Sequence, residues 1–427
     1  MAAATATAWR GGWADGLRYG GLGLPLAFVA LPLYVMLPNH YATEFGVPLA
    51  ALGALLLGAR LFDAVIDPWI GVQADRWFDG SARRVLLAAV AAAVVLALGF
   101  RGLFFPAVQG PAALLWWCGA LLALTYAGYS VLSVLHQAWG ARLGGGEAQR
   151  ARIVSWREGL ALVGVLVASV LPSLAGLGVA WAVFTLALAL GLALLARAPR
   201  PLPQPFAPGR AALPWHAPLA TPAFRRLLAI YLVNGIASAV PATLVLFFVR
   251  DRLQAPSWEP LFLASYFAAG ALSMPLWVRL VGRVGLARAW LAGMGLAIAA
   301  FVWAAALGSG DVGAFAAVCV ASGLALGADL ALPGALLAGV IQRAGHGGRL
   351  EGAYFGWWNF ATKLNLALAA GLALPLLAGL GYTPGSREPA ALQALTLAYC
   401  LLPCVLKLAA AALLWSRWIR HPEEKTS

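Results

Sequence analysis

Two aspartates stand out because they lie in a long apolar run, where charged residues are rare. Residues 58–68 (GARLFDAVIDP) place Asp63 and Asp67 four residues apart, so on a helix both carboxylates share one face. A charge at the centre of a membrane-spanning helix costs about 2.5–3.5 kcal/mol, so it needs a partner, a water-filled cavity or a function. Paired carboxylates supply hard oxygen ligands, and we therefore predict a site for Na⁺ or a proton.

Two cationic residues are candidate partners for these carboxylates. Arg60 precedes Asp63 by three residues and joins the same helical face, so a purely structural ion pair between them is one alternative. Two acids against one base leave a negative charge that another group must neutralise. Lys363, in a later apolar run, is the predicted counter-charge.

Other polar side chains inside apolar runs are candidate substrate contacts. Asp329 either binds substrate or forms a structural ion pair with Lys363, and both alternatives stay open. Hydroxyl, indole and amide groups complete this predicted set, at Tyr126, Ser130, Trp358 and Asn359.

The elements that must position these residues are membrane-spanning helices. Hydrophobic residues make up 62% of the 427-residue chain and charged residues only 11%, too few to cover a water-facing surface. Windows of about 20 apolar residues predict twelve spans. They are 18–38, 47–73, 85–106, 111–139, 153–175, 177–197, 227–250, 258–281, 286–308, 312–342, 352–382 and 390–416.

A proline-rich stretch divides the spans six and six. We predict an N-terminal bundle over 1–197, a linker over 198–226 and a C-terminal bundle over 227–427, a plan that suggests internal duplication. Arginines concentrate in the even-numbered loops, so these loops, the linker and both termini are expected on the cytoplasmic side of the inner membrane.

Several function classes are disfavoured. The net charge of +13 is distributed by topology and forms no single basic patch, which argues against nucleic-acid binding. The sequence has no H-E-x-x-H, G-x-S-x-G or Walker motif, so we expect no enzyme activity. No metal site and no cofactor beyond a coupling ion are predicted. The N-terminus has no apolar signal core, so we expect no cleavage there.

Residues 60–71 (RLFDAVIDPWIG), followed by Asp75-Arg76 and Arg83-Arg84, resemble the span-two signature and loop of the glycoside–pentoside–hexuronide:cation symporters. This family is the melibiose-carrier branch of the major facilitator superfamily. The resemblance continues in residues 149–152 (QRAR) with Arg157, in 349–352 (RLEG), and in Lys363 followed by Gly381-Tyr382.

The resemblance implies an all-α major facilitator fold of two pseudo-symmetric six-helix bundles around a central cavity. It implies that Asp63 and Asp67 bind the coupling cation, with Lys363 as counter-charge and Arg157 as a sugar contact. It also implies gating or ion-pair roles in the loop motifs for Asp75, Arg76, Arg83, Arg84, Arg349 and Glu351.

The chain departs from the melibiose carrier at its sugar-binding acids. Residues 24–28 (LPLAF) hold no acid in the first span, and Ser130 stands where the family has a second one. A neighbouring threonine ligand is replaced by Ala127.

We expect a monomeric symporter that moves a sugar or similar small polar solute with Na⁺ or H⁺ by alternating access. The alternative is an exporter of amphipathic or lipid-like molecules on the same fold. Besides its substrate, the lipid bilayer is the only partner expected.

Overall fold

The computed structural model describes residues 9–201 and 214–420, which form helices joined by short loops and contain no strand. The first six predicted spans correspond to five helices. They are α1 (Trp13–Thr43), α2 (Leu49–Gly80), α3 (Ala82–Phe104), α4 (Pro111–Arg142) and α5 (Glu147–Ala196). The later spans correspond to α6 (Pro222–Arg252), α7 (Pro256–Val284), α8 (Leu286–Ala304), α9 (Val312–Arg343), α10 (Glu351–Gly379) and α11 (Pro389–Ile419).

Helix α5 contains two of the predicted spans. It is 50 residues long, and Gly176 inside it has φ of 82° and ψ of 166°. Only glycine adopts this backbone region without strain, so the helix bends there and forms two membrane-spanning segments. The break lies between the predicted spans 153–175 and 177–197.

Ten of the described helices are long and apolar enough to cross a membrane. Helix α2 is 32 residues long and carries Asp63 and Asp67. The all-α fold is confirmed, and the bend of α5 at Gly176 accounts for two of the twelve predicted spans within one of the ten helices.

The helices group into two compact units. Unit 1 comprises Met1–Ala220 together with Ile341–Phe360, and unit 2 comprises Thr221–Val340 together with Ala361–Ser427. The boundary at residue 220 falls inside the predicted linker 198–226, of which residues 202–213 lie outside the described part. Helix α10 begins in unit 1 and ends in unit 2.

Each unit has an aromatic core and an apolar outer surface. In unit 1, Phe28 stacks on Phe184 with ring centroids 5.9 Å apart, and in unit 2 Phe248 stacks on Tyr399 at 4.3 Å. Large apolar side chains are exposed along the outer helix faces, including Leu174 (79%) and Leu272 (80%). Such exposure is stable in lipid, which accounts for the low charge content of the chain.

Candidate functional site

Unit 1 brings two predicted site residues of α2 together with one of α4. Asp63 and Asp67 are 2% and 0% exposed, one helical turn apart. The Ser130 hydroxyl, itself buried, donates a hydrogen bond of 3.0 Å to Oδ1 of Asp63. We call Asp63, Asp67 and Ser130 the carboxylate site. Its oxygens are the ligand type that a hard cation prefers, and a proton can bind either carboxylate.

Tyrosines and an arginine surround Asp63. Tyr126 lies one turn before Ser130 on α4 and packs against Tyr34, with ring centroids 5.9 Å apart. The guanidinium carbon of Arg60 lies 4.4 Å from the centre of the Tyr34 ring, a cation–π contact. The Tyr34 ring therefore stabilises the charge of Arg60. The spacing in the sequence suggested a different contact for Arg60, an ion pair with Asp63.

The first turns of α10 approach α2 closely beside the carboxylate site. A Cβ atom added at Gly356 would lie 2.5 Å from the backbone oxygen of Asp67, and one added at Gly352 would lie 2.3 Å from that of Gly71. The glycines are four residues apart, the small-xxx-small spacing that lets helix backbones meet. Trp358 and Asn359 follow on α10 and are buried, at 6% and 9% exposure.

Asp75 binds the N-terminus of α10. Its carboxylate accepts hydrogen bonds of 2.8 Å from the backbone N–H groups of Gly352 and Ala353. These N–H groups have no partner within the helix, and a negative charge at a helix N-terminus is electrostatically favourable. Asp75 therefore links the end of α2 to the start of α10.

Arg142, at the end of α4, joins the same group. Its guanidinium lies 2.8 Å from Asp75 and 3.1 Å from Glu351, and it donates a 2.9 Å hydrogen bond to the carbonyl of Gly348. Glu351 is fully buried and accepts a 2.5 Å hydrogen bond from the N–H of Gly348. We call Asp75, Arg142 and Glu351 the charge cluster. All three side chains are nearly inaccessible, so the cluster holds three helix ends in one arrangement.

The remaining residues with predicted gating roles lie apart from the charge cluster. Arg76, Arg83 and Arg84 are exposed where α2 ends and α3 begins, and the backbone N–H of Arg84 donates to the Ser81 cap. Arg349 is half-buried beside His346, where burial and then the Arg349 charge lower the pKa of the imidazole.

Arg157 is buried on α5 and forms an ion pair with its neighbour. It donates hydrogen bonds of 2.9 and 2.6 Å to one carboxylate oxygen of Glu158. Arg157 is predicted to contact a sugar. Because it is paired with Glu158, the two side chains together would offer a sugar both hydrogen-bond donors and acceptors.

Three tryptophans of unit 1 stack on one another. Trp215 lies between Trp69 and Trp357, with ring centroids 5.7 and 5.5 Å away and near-parallel planes. The Trp357 indole N–H also donates a 3.0 Å hydrogen bond to the Trp215 carbonyl. This stack fixes the chain just before α6 against α2 and the start of α10.

In unit 2, Asp329 lies in a buried polar network. Its carboxylate is 2.7 Å from Nζ of Lys407 and accepts hydrogen bonds from Asn234, Ser238 and Trp290 at 3.1, 3.3 and 2.9 Å. Lys407 also donates 3.0 Å hydrogen bonds to the Asn234 and Ser238 side chains, which uses all three of its donors. The ion-pair partner of Asp329 is thus Lys407, where the sequence suggested Lys363.

Lys363 is half-buried on the part of α10 that belongs to unit 2. Beside it in sequence, the Thr362 hydroxyl is hydrogen-bonded to Tyr231 at 2.8 Å. Asp63 and Asp67 belong to unit 1, so the predicted role of Lys363 as their counter-charge stays a prediction.

Sequence reasoning missed two cations of these networks. Lys407 lies in the apolar run 401–414 (LLPCVLKLAAAALL), and the rule that singled out Lys363 applies equally to it. Arg142 is one of the arginines that concentrate in the even-numbered predicted loops, and its position there gives no sign of the ion pairs that it forms. The glycine pair Gly352 and Gly356 was also overlooked, although its spacing is a known signal of close helix packing.

Comparison with known proteins identifies the family. The family model described as "MFS/sugar transport protein" matches residues 18–419. The chain belongs to this family. It is therefore a transporter of the glycoside–pentoside–hexuronide:cation symporter type and not an enzyme. Among curated protein sequences, no relative matches the chain.

Solved transporter structures share the fold at low identity. FucP, the E. coli fucose:proton symporter, in its outward conformation is 14% identical with a TM-score of 0.67, covering 94% of this chain and 99% of that one. A bacterial homologue of the iron transporter ferroportin, outward-facing with soaked iron, is 16% identical with a TM-score of 0.65 and coverages of 94% and 100%. The human organic anion transporter MFSD10 (TETRAN) is 19% identical with a TM-score of 0.62, covering 92% of this chain and 98% of that one. These likenesses show the major facilitator fold.

Proposed function

We propose that this multi-pass membrane transporter moves a sugar or similar small polar solute together with Na⁺ or H⁺. The observation that carries the proposal is the carboxylate site: Asp63 and Asp67 are buried four residues apart on a membrane-spanning helix, with the Ser130 hydroxyl bonded to Asp63. Such acids are expensive to place in a membrane, and an ion that binds them during each transport cycle accounts for their presence.

The family supports the same function, because its type couples solute movement to a cation. In this proposal the cation binds Asp63 and Asp67 and shifts the population toward the state that binds substrate. Tyr126 and the Arg157–Glu158 pair supply candidate hydrogen-bonding groups for a polar solute. Both termini face the cytoplasm, on the side where the loop arginines concentrate.

The test is uptake by purified protein in liposomes, with a Na⁺ or a proton gradient imposed. We expect gradient-driven uptake of at least one sugar by the wild type, and loss of the gradient stimulation in D63N and in D67N. The matched control is D79N, an exposed aspartate on the same helix α2, which should leave uptake unchanged. Unaltered stimulation in D63N and D67N would refute the coupling role.

The alternative of an amphipathic substrate rests on a specific observation in unit 1. Residues 24–28 contain no acid, and Leu26 and Phe28 are 6% and 1% exposed within the aromatic core. The first span therefore offers apolar contacts where the melibiose carrier is expected to bind sugar. Thermal stabilisation of the purified protein by lysolipids or detergents, and not by sugars, would favour this alternative.

A further inference from the structure

Helix α7 ends and helix α8 begins at one end of unit 2. This end carries unpaired positive charge. Arg279, Arg283 and Arg288 are all exposed, and none is in an ion pair among the residues that the structure describes. Residues 260–310 contain no aspartate or glutamate, so no neighbour in sequence can neutralise these guanidinium groups. An anion from outside the protein is the chemically matching partner.

The carboxylates of unit 2 that the structure describes lie elsewhere. Asp251, Glu259, Asp311 and Glu388 are at the opposite helix ends, and Asp329 is paired with Lys407 inside the bundle. Glu259 forms a 2.7 Å ion pair with Arg250, and Asp251 accepts a hydrogen bond from the Tyr382 hydroxyl. Both contacts lie at that opposite end. Within the described part of unit 2, the charge asymmetry thus follows from the positions of both the carboxylates and the arginines.

The same face of α7 continues into an exposed apolar stripe. Leu272, Leu276, Arg279 and Arg283 are spaced by four, three and four residues, so they share one helical face. Leu272 is 80% exposed and Leu276 is 53% exposed. From Leu272 to Arg283 the helix rises about 16 Å, close to half of the roughly 30 Å hydrocarbon core of a bilayer. The stripe therefore matches one leaflet, with the arginines at headgroup level.

Space is available at the arginine end of the stripe. A Cβ atom added at Gly282, between Arg279 and Arg283, would meet no other atom within 4 Å. Helix α7 ends at Val284, Gly285 follows as its C-cap, and Arg288 lies on the first turn of α8. A phosphate can therefore approach guanidinium groups on both sides of this turn without moving the backbone.

We propose that Arg279, Arg283 and Arg288 bind the phosphate of an anionic phospholipid whose acyl chain lies along Leu272 and Leu276. A phospholipid has two parts, and each matches one half of the stripe. Its phosphodiester accepts bidentate hydrogen bonds from the guanidinium groups, and its hydrocarbon chain packs on the exposed leucines. A free inorganic anion would match the arginines alone and leave the apolar stripe unexplained. This site is separate from the carboxylate site, so it stands whether or not the proposed symport is correct.

The test is lipid binding to detergent-purified protein, measured by native mass spectrometry during titration with phosphatidylglycerol or phosphatidylcholine. Wild type should prefer phosphatidylglycerol. Each basic residue near a membrane surface contributes about a fivefold change in binding, so R279Q/R283Q should weaken phosphatidylglycerol binding roughly 25-fold and leave phosphatidylcholine binding unchanged. R279K/R283K keeps the charge and should retain most of the preference.

The matched control is R417Q/R420Q, which removes two exposed arginines from the same end of unit 2. It should weaken phosphatidylglycerol binding much less than R279Q/R283Q does, because Arg417 and Arg420 lie at the end of α11 and not on the leucine stripe of α7. Equal weakening by both double variants would show an effect of general surface charge and would overturn the site. A wild type without preference for phosphatidylglycerol would overturn it as well.

Millimolar inorganic phosphate should not displace the lipid, and displacement would assign the arginines to a free anion. If R279Q/R283Q does not fold, R288Q should still weaken binding about fivefold, and unchanged binding would count against the proposal.

Discussion

Asp329 shows how the hydrogen-bond partners of an intramembrane carboxylate indicate its role. The Asp329 carboxylate receives four donors from unit 2, and the three donors of Lys407 are all used within the same network. A substrate hydroxyl could bind Asp329 only by displacing one of these bonds. The Asp63 and Asp67 carboxylates lie instead on a helix whose family signature implies cation binding.

The Asp329–Lys407 pair should therefore behave as a unit. D329N or K407M alone leaves one charge buried without its ion partner, which costs about 3–5 kcal/mol. We expect the double variant D329N/K407M to be more stable than either single variant, as measured by thermal melting in detergent. Uptake should survive in the double variant. Uptake lost from a stably folded double variant would instead assign Asp329 to the substrate, which is the other alternative that the sequence leaves open.

Some site residues were accessible to sequence reasoning and others were not. The cost of a charge in hydrocarbon identifies Asp63, Asp67 and Asp329 from composition alone, because that rule needs only one stretch of chain. It does not say that Asp329 pairs with Lys407, 78 residues away, because contacts between helices are not encoded in local spacing. Asp75 was named from a loop motif, but its capping of α10 depends on how three helices pack.

At the scale of the helix, glycines determine how closely α2 and α10 pack. Gly71 and Gly352 face each other, since a Cβ atom added at either would lie 2.3 Å from the backbone oxygen of the other. Packing at this distance also places the α10 N–H groups within reach of Asp75. The close approach and the charge cluster are therefore two consequences of one helix crossing.

Adding a methyl group at this crossing should destabilise the protein. In G356A the new Cβ would lie 2.5 Å from the Asp67 backbone oxygen, and overpacking of this kind costs about 1–3 kcal/mol. We expect a lower melting temperature and weaker cation-dependent uptake. The matched control is G371A on the same helix α10, where a Cβ meets no atom within 4 Å. Equal melting temperatures for the two variants would contradict the inferred close packing.

Helix number was predictable and helix ends were less so. Hydropathy predicts the spans, and Gly176 divides α5 where the prediction separates 153–175 from 177–197. The second span was predicted to end at 73, but α2 continues to Gly80. The apolar signal stops there because Asp75 and its neighbours are polar. The helix continues because Asp75 is held by Arg142 and by α10, which a hydropathy window does not detect.

At the scale of the whole chain, the segment Ile341–Phe360 belongs to unit 1 although it lies far along the second half of the sequence. Three kinds of contact hold it there: the charge cluster, the glycine crossing with α2 and the stack of Trp357 on Trp215. Alternating access requires a transporter to exchange one set of helix contacts for another. In the proposed transport cycle we therefore expect the contacts of this segment within unit 1 to break and re-form, at a frequency that the charge cluster sets.

Release of the segment can be followed at Ala353, which is buried in unit 1 and bonded through its N–H to Asp75. A cysteine at this position, in a background with the four native cysteines replaced, should react slowly with a water-soluble maleimide. R142Q removes the guanidinium that joins Asp75 to Glu351 and leaves two buried carboxylates facing each other, so labelling should become at least about tenfold faster. R200Q removes an exposed arginine of unit 1 and should leave the rate unchanged. If R142Q and R200Q label at the same rate while both remain folded, the charge cluster does not control the segment, and the glycine crossing with the tryptophan stack must hold it alone.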